Sequence, residues 1–255
     1  MKQITENGHK NIEELSLNHW QSLSTLFYDG WILRFANGFT KRANSIQPIY
    51  DSSHDVFAKI DECERIYASN QLSTIFKITP FIQPDHLDQL LQDRGYSIVD
   101  HTNMQVRSLE ELKEPEYPFV RIDEQLTQEW LDHFCRLNQV HEGKRETMTQ
   151  MLSNIRTSTG FISLSVDGQV VACGLGVVER GYIGLYDIIT DAAYRNRGFA
   201  EQMILHLLHW GKKQGATSSY LQVVAGNAPA IKLYAKLGYS KIYSYWYRVK
   251  AFHES

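Results

Sequence analysis

Cysteine is scarce in this chain: Cys63, Cys135 and Cys173 are scattered through 255 residues. They form neither the closely spaced set of a disulfide framework nor a metal-ligand cluster. Ten histidines show no His-x-His or His-x-x-x-His spacing, so no metal is expected. No apolar run approaches the length that spans a bilayer, and no membrane partner is expected. Neither charge dominates, with 26 Lys and Arg against 29 Asp and Glu and a formal net charge of −3. That balance gives no electrostatic footprint for nucleic acid. Residues Met1 to Glu6 have no apolar stretch behind Lys2, so no signal peptide is expected. A reduced, cytoplasmic protein is expected.

What remains is an ordinary globular composition, 43% hydrophobic and 22% charged, long enough for one large or two small domains. Apolar spacing predicts a helix over 9–28, strands over 30–36 and 73–78, helices through Val56–Tyr67 and from Pro84 to Gly95, and a strand from Tyr96 to Val106. Residues 110–118 hold four glutamates and two prolines and read as a linker between units 1–109 and 119–255. Beyond it the pattern predicts a strand at 120–122, helices over 127–139 and 146–156, a hairpin turning at Asp167-Gly168, and a strand over 182–190. A helix over 199–214, a strand over 220–224, a helix over 229–237 and a terminal aromatic hairpin complete it. The class is α/β, a twisted mixed sheet flanked by helices.

Two segments carry chemistry. From Asp187 through Ile188, Ile189 and Thr190 an apolar strand runs into Arg195-Asn196-Arg197-Gly198-Phe199-Ala200 and then a helix. Loop and first-turn N–H groups converge there, and Arg195 and Arg197 add positive charge, an arrangement that suits a pyrophosphate. In the next unit Asn227 reads as an N-cap, Pro229 as a first-turn residue and Gly238 as a C-cap. Tyr234 lies one turn beyond Ala230, where its phenol can meet a ligand held between the two strands.

In order, these units resemble the cofactor motifs of the GCN5-related N-acetyltransferase superfamily. Its phosphate loop, Gln/Arg-x-x-Gly-x-Gly/Ala, is matched by Arg195, Gly198 and Ala200. Its second motif, Asn-x-x-Ala-x-x-Leu-Tyr-x-x-x-Gly-Phe/Tyr, is matched by Asn227, Ala230, Leu233, Tyr234, Gly238 and Tyr239. The resemblance covers residues 119–250 and implies an acyl-CoA N-acyltransferase fold that moves an acetyl group from acetyl-CoA to an amine. It implies that residues Arg195 to Ala200 hold the pyrophosphate and that Ile188, Ile189 and Thr190 pair with pantetheine. An N–H of that strand, at Ile188, would polarise the thioester. Asn227 would touch the pantetheine arm, and Tyr234 would protonate the leaving thiolate. The base stays open between Asp187 and Glu179. Strand alternation turns Asp187 away from Ile188 unless a bulge intervenes. A non-catalytic acyl-CoA sensor is the alternative function.

Leu90–Ser97 parallels Leu233–Ser240, 143 positions later, which suggests two acetyltransferase-like halves in tandem. At the same offset Ser52–Phe57 stands in place of the phosphate loop, without glycine or arginine, and Leu91 in place of Tyr234. The first half is therefore expected to be inert and to wall the acceptor pocket. Arg42 and Asn44 are its candidate acceptor contacts, with a structural loop as the other reading.

Overall fold

The computed structural model describes residues 6–252. Residues 1–5, where the reading of no signal peptide begins, lie outside the described residues. The first helix is shorter than its periodicity suggested: α1 is Glu6–His19, and Ser24–Tyr28 is a strand, β1. Asp29 and Gly30 both take positive φ (42° and 81°) and turn β1 back onto β2, Trp31–Phe35. This is the two-residue hairpin geometry that such a pair favours. A Cβ on Gly30 would also lie 2.1 Å from the Asp51 carbonyl, so glycine is needed there for space as well as for φ.

The remaining elements are β3 (Ile46–Gln47), α2 (Val56–Ser69), β4 (Thr74–Ile78), α3 (Leu87–Asp93), β5 (Ser97–Ser108), β6 (Val120–Asp123), α4 (Gln128–Asn138), α5 (Glu142–Ser153), β7 (Ser158–Val166), β8 (Gln169–Glu179), β9 (Tyr182–Thr190), α6 (Phe199–Lys213), β10 (Ser218–Val224), α7 (Ala228–Lys236) and β11 (Ser240–Lys250). The expected terminal hairpin is instead the single strand β11. Its alternation buries Tyr243, Tyr245 and Tyr247 on one face and offers no turn residue at which to fold back.

All eleven strands form one sheet in the order β1-β2-β3-β4-β11-β5-β10-β9-β8-β7-β6. β3 runs parallel to β4, and β9 runs parallel to β10. The order repeats: β1 to β5 correspond in sequence and pairing sense to β7 to β11. The two halves exchange their last strands. β5 adds to β10 of the second half, and β11 adds to β4 of the first. One continuous apolar cluster, including Ile12, Leu15, Trp130, Phe134, Tyr186 and Tyr220, covers one face of the sheet. The opposite face has two separate cores, one built around α2 and α3 and one around α6 and α7. Residues 110–118 lie along α6, where the Gln202 side chain accepts the N–H groups of Glu116 and Tyr117 at 2.7 and 3.0 Å.

Polar ties hold the exchanged strands. Arg248 on β11 donates to Asp88 of α3 at 2.7 Å. Glu13 of α1, fully buried, pairs with Lys77 of β4 at 2.5 Å and accepts from the Tyr243 hydroxyl of β11 at 2.6 Å. Each half therefore completes its sheet only with a strand from the other. Expressed separately, residues 1–109 and 119–255 should each fail to give a cooperatively melting monomer, and co-refolding them should restore one. Thermal melts by circular dichroism check this, and independent two-state melting of either piece would refute it.

Candidate active site

The parallel ladder between β9 and β10 covers only Tyr182–Leu185 and Ser218–Leu221. Beyond Leu185 the two strands part. On the other side of β9, residues Asp187 and Ile188 stand opposite the single residue Gly174 of β8, between the pairs Cys173–Ile189 and Leu175–Tyr186. Two residues against one make a bulge, and Asp187 carries its positive φ of 50°. Gly174 makes room for it: a Cβ there would lie 2.7 Å from Ile188 Cδ1 and would push that side chain aside. The bulge is therefore present, but Asp187 and Ile188 still face different cavities.

Two cavities open beside this gap. The first, about 600 Å³, lies on the α6–α7 face. It is lined by Ile188, Ile189, Thr190, Arg195, Asn196, Gly198, Phe199, Ala200, Asn227, Ala230 and Tyr234, all expected from sequence to meet the cofactor, together with Pro229 and Leu233, noted only for their place in the second motif's helix, and Tyr194 and Glu201, which were not noted. Asn196 (φ 62°) and Gly198 (φ 82°) bring left-handed residues into the loop, turning its N–H groups towards the α6 N-terminus. Arg195 Nε is anchored on the Thr190 carbonyl at 3.3 Å. Arg197, expected at this site, does not line it; its guanidinium stacks over Tyr194 at 5.1 Å. Asn227 caps α7 by accepting the Ala230 N–H at 3.2 Å, which leaves its amide NH₂ for a ligand. The Tyr234 phenol packs edge-on to Tyr239 and is raised above its usual pKa by burial, with Arg42 pulling the other way.

The second cavity, about 300 Å³, is lined by Trp20, Thr40, Lys41, Arg42, Asp100, Thr102, Asp187, Val224, Tyr245 and Tyr247. It opens on the α1 face, to which Trp20, Tyr245 and Tyr247 belong. Asp187 and Arg42 thus meet in one place, although 145 positions separate them in the chain. Burial pushes the Asp187 carboxyl up to about 6, with Arg42 opposing the shift. Asp100, like Asp187, sits on a bulge with positive φ (53°), opposite Trp246. No local pattern marked Trp20, Asp100 or Thr102. The aromatic alternation of Tyr245 and Tyr247 was visible, but only as sheet packing.

Two candidates fall elsewhere. Glu179 ends β8 opposite Tyr182, at the far end of β9 from the gap. It accepts both Asn18 contacts at 3.1 Å and pairs with Arg180 at 3.1 Å, so it cannot serve a reaction at Asp187. Asn44 is buried, and its amide is spent on its own loop. It accepts from the N–H groups of Ala36 (2.7 Å) and Gly38 (2.9 Å) and donates to the Thr40 carbonyl (2.8 Å). Asn44 shapes the loop that carries Arg42.

The counterpart loop in the first half is internally filled. α2 begins at Val56, 143 positions before Phe199. There the Asp29 carboxylate accepts the N–H of Ser53 at 3.0 Å, the N–H of His54 at 2.8 Å and the Ser53 hydroxyl at 2.9 Å, and it pairs with Lys59 at 3.2 Å. Asp55 caps the helix through the Ala58 N–H. Anion-binding N–H groups persist in this half, but a carboxylate of the chain itself occupies them.

A mixed sheet with parted parallel strands, a left-handed loop at a helix N-terminus and a tyrosine-bearing second helix defines a GCN5-related N-acetyltransferase. The family described as "Probable histone acetyltransferase Rv0428c C-terminal" matches residues 9–248, and the chain belongs to this family of acyl-CoA-dependent acetyltransferases. It is 29% identical over 245 residues to the "Uncharacterized N-acetyltransferase YobR" of Bacillus subtilis, covering 94% of this chain and 98% of that one. Over 78 residues it is 31% identical to the [ribosomal protein bS18]-alanine N-acetyltransferase of Escherichia coli, 31% of this chain and 53% of that protein. A GCN5-related N-acetyltransferase from Kribbella flavida shares the fold at a TM-score of 0.69 and 15% identity, covering 94% of each chain. A tandem protein of the same superfamily from the clavulanic acid biosynthesis pathway does so at 0.66 and 11% identity, covering 96% of this chain and 89% of that one.

Asp29 supplies a test of the filled loop. The His54 N–H, and after it Ser53 and Lys59, hold its carboxyl below the ordinary value of 3.8 against the opposing effect of burial. A depressed carboxyl stabilises the fold above its unfolded pKa and loses that effect as pH falls. Asp29→Asn should therefore lower Tm at pH 7, and the difference from wild type should shrink below about pH 4. Differential scanning calorimetry across pH checks it; an unchanged Tm at pH 7 would refute the role.

Proposed function

We propose that the protein transfers an acetyl group from acetyl-CoA to an amine, with donor and acceptor approaching from opposite faces of the sheet. The observation that carries this reading is a cavity on each side of the strand end where β9 and β10 part, one beside the helix N-terminus and one beside Asp187. The first cavity suits the donor. Loop N–H groups, the positive end of α6 and Arg195 fit a pyrophosphate. The open edge of β9 at Ile188–Thr190 fits the amides of a pantetheine arm, and the Asn227 amide adds a donor. Acetyl-CoA supplies an acyl group activated as a thioester.

The chain's own residues then divide the proton work. Asp187, ionised above about pH 6, accepts the proton of the incoming ammonium. The freed nitrogen forms its bond to the carbonyl carbon, and the N–H of Ile188 at the bulge stabilises the oxyanion. As the carbon–sulfur bond breaks, Tyr234 gives its proton to sulfur, and the second proton of the nitrogen leaves with amide formation and restores the phenol through solvent. Its raised pKa keeps the phenol protonated at neutral pH, as an acid must be. Residues 1–109 act as the half that walls the acceptor, 110–118 as the connection, and 119–255 as the half that holds the donor.

Free-thiol release at saturating acetyl-CoA tests the roles. Tyr234→Phe should lower kcat by about 10²-fold with little change in acetyl-CoA affinity by calorimetry; full turnover in that variant would remove Tyr234 as the acid. In wild type, kcat/KM for the acceptor should rise through a midpoint near pH 6 as Asp187 ionises, and Asp187→Asn should abolish that limb. The same substitution should stabilise the fold at pH 8. A raised carboxyl favours the folded state below its unfolded pKa and works against it once pH passes the folded value, and removing the charge relieves roughly 2 kcal/mol. An Asp187→Asn protein with an unchanged pH profile would remove Asp187 as the base.

A further inference from the structure

We infer that the acceptor is a small amine that also carries a carboxylate, an amino acid, and that Arg42 with the Tyr247 hydroxyl reads the carboxylate while Asp187 receives the amine; this rests on the reading of the second cavity as the acceptor site. The argument begins with the charges facing that cavity, which are Lys41, Arg42, Asp100 and Asp187. Lys41 and Asp100 neutralise each other across 2.8 Å. Arg42 and Asp187 do not. Among the described residues Arg42 has no carboxylate within 4.0 Å, and Asp187 accepts no hydrogen bond. One cation and one anion, too far apart to pair, are thus left facing one space.

The protein holds them apart. Arg42 stands on a short turn, Lys41–Ala43, whose loop is fixed by Asn44. Its carbonyl is gripped by the buried Arg34 side chain at 2.6 Å. Asp187 is fixed by the bulge opposite Gly174. Neither backbone is free to close the gap. A third unpaired group faces the same space: the Tyr247 hydroxyl is buried without a hydrogen-bond partner, and Tyr247 is only 3% exposed. An acceptor bearing one positive and one negative pole satisfies all three groups. A simple alkylamine would leave the Tyr247 hydroxyl unmatched and Arg42 with the neighbouring Tyr245 but no carboxylate, and a buried polar group without a partner is costly. At about 300 Å³ the cavity is at the small end for ligand sites, which suits a free amino acid between Trp20 and Tyr245. Arg42 also lies within electrostatic reach of both Asp187 and Tyr234, so the group that reads the carboxylate borders both proton-transfer residues.

The test measures thiol release from acetyl-CoA with three matched sets of probes: free amino acids, their carboxamides, and the corresponding amines lacking the carboxyl group. A lysine-containing peptide and a peptide with N-terminal alanine form a fourth arm. At least one free amino acid should be used about 10-fold or more better than its carboxamide and its decarboxylated amine. Arg42→Gln should lower kcat/KM for that amino acid by about 10- to 100-fold, mostly through KM, as expected for losing a hydrogen bond to a charged group. Its KM for acetyl-CoA should be unchanged, and Arg42→Lys should recover part of the loss. Equal use of the decarboxylated amines, preference for either peptide, or an unaltered acceptor KM in Arg42→Gln would overturn the inference and leave the acetyltransfer reading standing. So would calorimetric binding of acetyl-CoA with no thiol release from any free amino acid. Failure of acetyl-CoA to bind at all would take both readings down.

Discussion

Between Leu185 and Thr190, β9 gives up its ladder to β10 and bulges against β8, and the rest of the site depends on that disruption. A closed parallel ladder would leave both faces of the sheet sealed from each other. The bulge does two further things. It puts the consecutive residues Tyr186 and Asp187 on the same α1 face while Ile188 turns to the α6 face, and it places an aspartate in the left-handed region, which Asp tolerates better than most residues. The local cost of that geometry is offset by packing. Leu185 and Ile188 sit in the core built on α6, while Tyr186 and Ile189 sit in the core on the opposite face. The gap is thus held open by two cores that pull on alternate residues of one strand.

The exchanged strands bring the first half into the second cavity. β11, the last strand of the donor-holding half, supplies Tyr245 and Tyr247 to the second cavity while hydrogen-bonded to β4 and β5. β5, the last strand of the first half, supplies Asp100 and Thr102 while paired with β10. The acceptor cavity is therefore built at the seam where each half contributes to the other. Loss of an anion site in the first half did not require loss of its N–H geometry. Asp29 fills it from the β1–β2 turn, converting a ligand-binding feature into an internal contact.

Legibility in the sequence followed the range of the interactions. The donor side was readable because its determinants are local. Gly198 carries a φ that glycine favours, Asn227 caps its own helix, and Tyr234 follows Ala230 by one turn. Strand β9 was likewise readable end to end from its apolar run, as was the Asp167-Gly168 turn. On the acceptor side only Arg42 and Asp187 were named, and not their meeting with Trp20, Asp100 and Tyr245, which come together only through the strand exchange and two bulges, and a bulge breaks the alternation from which facing is inferred. Asn44 and Glu179 show the converse error. Both are polar residues near the right elements, and both are committed to backbone or neighbouring charges that no local pattern records. Tyr243, Tyr245 and Tyr247 read as a hairpin because length alone does not distinguish a long central strand from two short ones.

The asymmetry between the two sides has a physical source. A pyrophosphate and an amide-bearing arm can be held largely by backbone N–H groups, so the donor site needs glycine, a cap and a helix end at fixed spacing. An acceptor must be held by side chains, because its distinguishing groups vary while the reaction stays the same. Side chains that must remain unpaired until a substrate arrives are destabilising, and without a scaffold to keep them apart they would relieve that cost by pairing with each other. Arg34 gripping the carbonyl of Arg42, Asn44 tying its loop and Gly174 admitting Ile188 all serve that separation, although none of the three lines the acceptor cavity. On the proposed reading, specificity resides as much in the residues that fix the loop of Arg42 and the bulge of Asp187 as in those two residues themselves.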